Sequence, residues 1–213
     1  MLTLAFVTGT EPTKWFRRFQ RSTTHGLSSF DSDDAFQDLV DKRCDLALTR
    51  LPDARITEEF HVVRLYDEEP GVAVPKESVY AEVGEAVEMH DVVDEHVNFD
   101  GGTIADLRAA LQVVAANVGV AFAPKPLLKV LSKKQVVPLT LKNGPQEQTT
   151  IALVWRKTDD DDAIQDFVGI AKGRTANSSR VAAPKRNAKE KRLAKEARRG
   201  GKQPLKRGQR RGR

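Results

Sequence analysis

The chain has 213 residues, 39% of them apolar and 31% charged, with one cysteine and a formal net charge of +5; that length suits one sizeable domain, or one two-lobed domain with an appendage. The lone Cys44 excludes an internal disulfide and argues against zinc-finger and CxxC redox sites. No apolar run reaches the ~18 residues of a membrane span, and MLTLAFVTGTEP lacks a secretory signal's basic start, so a cytoplasmic protein with no membrane partner is expected.

Residues 2–7 (LTLAFV) form a short β-prone run that turns through Thr8-Gly9-Thr10 into a helix, with Pro12 near its start and Trp15, Phe16 and Phe19 at helical spacing. A second short strand is expected over 27–30, then a helix capped by Asp31 or Ser32 that carries Phe36, Leu39 and Val40. DLAL (45–48) reads as a buried strand, and 60–66 and 71–75 as further strands. Thr103 and Asp106 make a capping-box start for the clearest helix, whose stripe is Ile104, Leu107, Ala110, Leu111 and Val114. Strand GVAFA (119–123), a short helix over 126–131, and strands over 136–141 and 150–156 follow. Asp159–Asp162 open a last helix, where acidic side chains suit the macrodipole. Alternation of strands and helices predicts an α/β architecture with parallel pairing.

The charge is unevenly placed. Residues 1–170 hold 28 Asp+Glu against 18 Lys+Arg, whereas residues 171–213 hold 17 Lys+Arg against Glu190 and Glu196. The tail also lacks aromatics, so it cannot bury a core and is expected to be disordered when free. An acidic body joined to a basic tail points to a polyanion partner for the tail.

Five segments, in order, carry a family resemblance: LTLAFV with its Thr-rich turn, LVDKRCDLALTRLP, EEPGVAVPKES, VVAANVGVAFAPKPLL and TIALVWRKTDDDDAIQDFV. Together they resemble the effector-binding half of LysR-type transcriptional regulators, bacterial proteins with a two-lobed, periplasmic-binding-protein type 2-like α/β fold. The resemblance implies a domain over 1–170, with lobe I at about 1–69 and 142–170 and lobe II at about 70–141. The second lobe is short, with one helix between the 100–103 turn and GVAFAP. Met1 begins at the first sensor strand, so a stand-alone sensor without the winged helix-turn-helix is expected.

Two helix starts would face the cleft between such lobes. The candidate ligand residues are Thr8, Gly9 and Thr10, Gly101, Gly102 and Thr103, and Thr49 and Arg50 at the exit of DLAL; exposed N–H groups and hydroxyls there suit an anionic metabolite, with Arg50 as its charge partner. The plainer reading is that these are caps and turns. His90 and His96, in an acidic stretch that reads as a solvated loop, fit no metal-ligand spacing, and no nucleophile elbow, phosphate loop or dinucleotide fingerprint is present. Neither an enzyme nor a cofactor is expected.

Lys185, Arg186, Lys189, Lys191, Arg192, Lys195, Arg198 and Arg199, followed by Lys206, Arg207, Arg210, Arg211 and Arg213, are the candidate nucleic-acid contacts, for DNA or RNA and without sequence preference. The combined expectation is a small-molecule-sensing regulator with a basic nucleic-acid-binding arm. The alternatives are an interaction protein that forms a homodimer or pairs with another regulator through the sensor fold, with a vestigial pocket, and a solute-binding protein.

Overall fold

The computed structural model describes residues 1–144 and 148–173; the candidate tail contacts lie outside them. The described chain forms two five-stranded sheets, one per lobe. In lobe I, β1 (Leu2–Val7), α1 (Thr13–Ser22), β2 (Leu27–Ser32), α2 (Ala35–Val40), β3 (Leu46–Leu51) and β4 (Phe60–Asp67) come first. The chain then builds lobe II from β5 (Pro70–Pro75), α3 (Val79–Val83), β6 (Val87–Glu88), β7 (Val97–Phe99), α4 (Ile104–Ala115), β8 (Val120–Pro124), α5 (Lys125–Leu131) and β9 (Val136–Lys142). It returns to lobe I as β10 (Thr150–Arg156) and α6 (Asp162–Ala171). The strand orders are β2-β1-β3-β10-β4 and β6-β9-β5-β8-β7.

Parallel pairing is only part of the result. β1 is parallel to β2 and β3, but β10 runs antiparallel to β3 and β4, and β5 antiparallel to β8 and β9. The physical reason is the double crossover: β10 re-enters the first sheet from the other lobe, so its direction is not set by a local βαβ unit.

Strands buried on both faces explain the near-continuous apolar runs. β1 and β3 are covered on one side by α1 and α6, where Phe16, Phe19 and Phe167 meet ring to ring, and on the other by α2 through Phe36 and Leu39. Lobe II shows the strand period of two. Ala73, Ala121 and Ala123 face Leu107, Leu111, Leu127 and Leu128 of the two helices, while Val72, Val74, Val120 and Phe122 point to the opposite core. Cys44 is packed, 4% exposed, and burial pushes its thiol up to about 11.

Three local expectations are corrected. β2 continues to Ser32 because it pairs with β1 as far as Val7, so the cap of α2 is Asp34, whose carboxylate accepts from the Gln37 N–H. The helix after β8 begins at Lys125. The acidic stretch around His90 and His96, read as loop, contains a 3-10 turn (Met89–Val92) and leads into β7. The Thr103–Asp106 capping box is present as expected.

Candidate ligand-binding cleft

A cavity of about 980 Å³ opens where β1 and β3 of lobe I and β7 and β8 of lobe II reach their carboxyl ends. That is the position at which open α/β sheets receive ligands. Lobe I contributes Val7, Asp33, Asp34, Thr49, Arg50, Pro52, Asp53 and Arg55 to its wall. Lobe II contributes the strand end Phe99, the turn Asp100-Gly101-Gly102-Thr103, the first turn of α4, and Phe122, Ala123, Pro124 and Leu127. Thr149, on the second crossover, completes it.

Each arginine around the cleft is held by carboxylates. Arg50 donates from Nε to Glu68 Oε2 at 2.7 Å and from Nη2 to Glu68 Oε1 at 3.0 Å, and from Nη1 to the Thr8 carbonyl at 2.9 Å. Glu68 also accepts from Thr149 Oγ1 at 2.9 Å, so one carboxylate ties β3 to both crossovers. Arg55 is chelated by Asp53 and Asp34. Those bonds raise the Arg55 pKa, and they hold Asp53 below the usual carboxylate range. For Asp34 burial works upward, but the Arg55 and Gln37 bonds outweigh it and the net shift is down. Asp33 meets Arg108 of α4 in a two-bonded pair that spans the lobes, and the Arg108 bond lowers its pKa.

The family model for the LysR substrate binding domain matches residues 99–176. No curated protein matches the sequence. Among solved structures, the effector binding domain of QuiR in complex with shikimate is similar over 80% of this chain and 94% of its own, at 17% identity and a TM-score of 0.58. A reduced form of OxyR from N. meningitidis is similar over 83% of this chain and 96% of its own, at 14% identity and a TM-score of 0.59. CbnR, a LysR family transcriptional regulator, is similar over 80% of this chain and 68% of its own, at 15% identity and a TM-score of 0.60. The chain folds as a LysR substrate-binding domain.

In this fold, five of the eight expected ligand residues line the cavity: Thr49, Arg50, Gly101, Gly102 and Thr103. Thr8, Gly9 and Thr10 stand behind the wall. Thr8 Oγ1 donates to Asp33 Oδ1 at 2.9 Å, and Thr10 Oγ1 donates to the Val7 carbonyl at 2.8 Å, so both hydroxyls support the turn. Gly9 has φ +93°, and a Cβ there would lie 2.9 Å from both Arg50 Nη2 and the Leu127 Cα. The glycine therefore lets lobe I backbone approach α5 of lobe II.

Sequence reasoning missed Asp33, Asp34, Asp53, Arg55, Asp100 and the bridging Glu68. In the sequence only Asp31 or Ser32 reads as a cap, and Asp100 reads as a turn residue. The Pro52-Asp53-x-Arg55 stretch directly after β3 is a signal that could have placed two of them at the cleft, because chain leaving a strand's carboxyl end borders the ligand crevice.

Proposed function

We propose that this LysR-type domain is a cytoplasmic small-molecule-sensing regulator, non-enzymatic, that receives an effector between its lobes and contacts DNA or RNA through residues 171–213. The observation that carries the sensing half is the cleft itself, whose wall is shared by both lobes. A ligand touching both walls binds one lobe arrangement more tightly than another, which is what shifts a conformational equilibrium. The shared wall includes the first turn of α4, whose Arg108 meets Asp33 across the lobes, so occupancy bears directly on an inter-lobe contact.

Ala105 is exposed, lines the cavity and lies in the first turn of α4, so Ala105→Trp fills the cleft without entering a core. In a thermal-shift screen of mixed metabolites the native chain is expected to gain Tm with at least one pool, as mass action requires for a ligand that binds only the folded state. Ala105→Trp is expected to unfold within a few degrees of the native chain and to respond to none. A response that survives the tryptophan places binding elsewhere.

The nucleic-acid half rests on the 17 Lys+Arg of residues 171–213. Full-length chain is expected to retard a 30-base-pair duplex or an RNA of similar length irrespective of sequence. If about half of those charges meet phosphates, raising salt from about 50 to 200 mM weakens binding about 10⁴-fold. Chain ending at residue 173 should not bind. Equal retardation by both lengths would remove the arm from the reading.

A further inference from the structure

We propose that the effector is an organic cation, an amine or guanidine with an apolar body, the reverse of the anion that the turn residues suggested; this rests on the cleft reading above. An anion entering the cleft finds no available partner among the arginines. Arg50 is bound through two nitrogens to Glu68, whose side chain is 1% exposed, so recruiting it would strand a buried carboxylate. Arg108 is taken by Asp33, and Arg55 already sits between Asp34 and Asp53. At the start of α4, Asp106 Oδ2 accepts from the Thr103 N–H at 3.1 Å and from its hydroxyl at 2.6 Å, so a carboxylate already stands where an anion would approach.

The carboxylates are left in excess. One arginine serves both Asp34 and Asp53, and Asp100 makes no hydrogen bond or ion pair among the described residues. Two negative charges thus face the cavity without a cation of their own. The remaining wall is apolar, with Phe99 directly before Asp100 and Ile104, Phe122 and Leu127 beyond. An aromatic residue and an unpaired carboxylate lining one cavity make a surrounding that favours an ammonium or guanidinium head. In a cleft partly walled off from water the attraction exceeds its value at an open surface, and so does the repulsion of an anion.

The test uses full-length chain and two series of opposite charge, whose phenyl members match in shape. 2-Phenylethylamine and agmatine form one, 3-phenylpropionate and shikimate the other, each titrated by thermal shift and calorimetry. The amines are expected to raise Tm in the native chain, to do nothing in Ala105→Trp, and to bind about tenfold more weakly to Asp100→Asn, whose fold loses no contact. Carboxylates that raise Tm while amines do not, with Ala105→Trp abolishing the effect, would overturn the cationic assignment and leave the sensing cleft standing. Amine binding of undiminished strength in both Asp100→Asn and Asp53→Asn also overturns it. Silence from both series overturns it too, and the metabolite screen then decides separately whether the cleft binds anything.

Discussion

Glu68→Gln is expected to cost about 3–5 kcal/mol of stability and, for a domain of this size, to lower Tm by about 10 °C. Glu68 is 3% exposed and its carboxylate accepts two guanidinium bonds from Arg50 and one hydroxyl bond from Thr149, while its own N–H donates to the Thr149 carbonyl at 2.8 Å. Glutamine keeps the volume but removes the charge and turns an NH₂ toward donors. Arg50, 15% exposed in its side chain, is then a cation in a poorly solvated place without its counter-ion. Removing both charges is a different matter, since replacing a buried pair with apolar groups of similar size is often neutral. The double variant Arg50→Met, Glu68→Met should therefore recover most of the loss in denaturant melts. A single-variant loss below about 1 kcal/mol would mean that water reaches the pair and that the pair is not holding the crossovers.

Gly119→Ala should be at least as damaging in its effect on the cleft. Gly119 has φ +61°, and a Cβ there would lie 1.9 Å from the His96 carbonyl oxygen. Both partners are backbone, so no side chain can rotate away. The same carbonyl accepts the Val120 N–H at 2.8 Å and aligns β7 beside β8. Left-handed backbone costs an alanine roughly 1 kcal/mol by itself, and with the displaced strand the loss should reach at least about 3 kcal/mol. Because β7 ends at Phe99 and leads into the Asp100–Thr103 turn, the displacement is transmitted to the cavity wall. Chemical denaturation should show the loss, and any ligand response should weaken with it. A variant as stable as the native chain would place the strain relief elsewhere in the 116–119 turn.

Stability and the shape of the cleft depend on the same residues in this domain. Arg50 is a cavity-lining side chain whose charge serves the crossovers, and Gly9 gives up its side chain so that lobe I can approach α5. A cleft assembled this way uses its cations for architecture and leaves carboxylates in excess along the cavity wall.

The order of elements was legible in the sequence because it depends on local chemistry. Thr150–Arg156 reads as one strand from its β-branched and aromatic run, and Thr103 with Asp106 marks the start of α4 whatever surrounds it. The charge split between 1–170 and 171–213 is likewise a property of the chain alone. The direction of β10 was not legible, since the sheet it joins depends on a partner more than eighty residues earlier in sequence. Nor was the pairing of the charges around the cleft. Arg50 looks like an anion receptor until Glu68 is brought within 3 Å of it, and Asp100 looks like a turn residue until Phe99, Asp34 and Asp53 share its cavity. Propensity and capping act over three or four residues, so sequence determined the elements. Charge pairing acts over a few ångströms between segments that only folding brings together, so the tertiary structure decided what the cleft can hold.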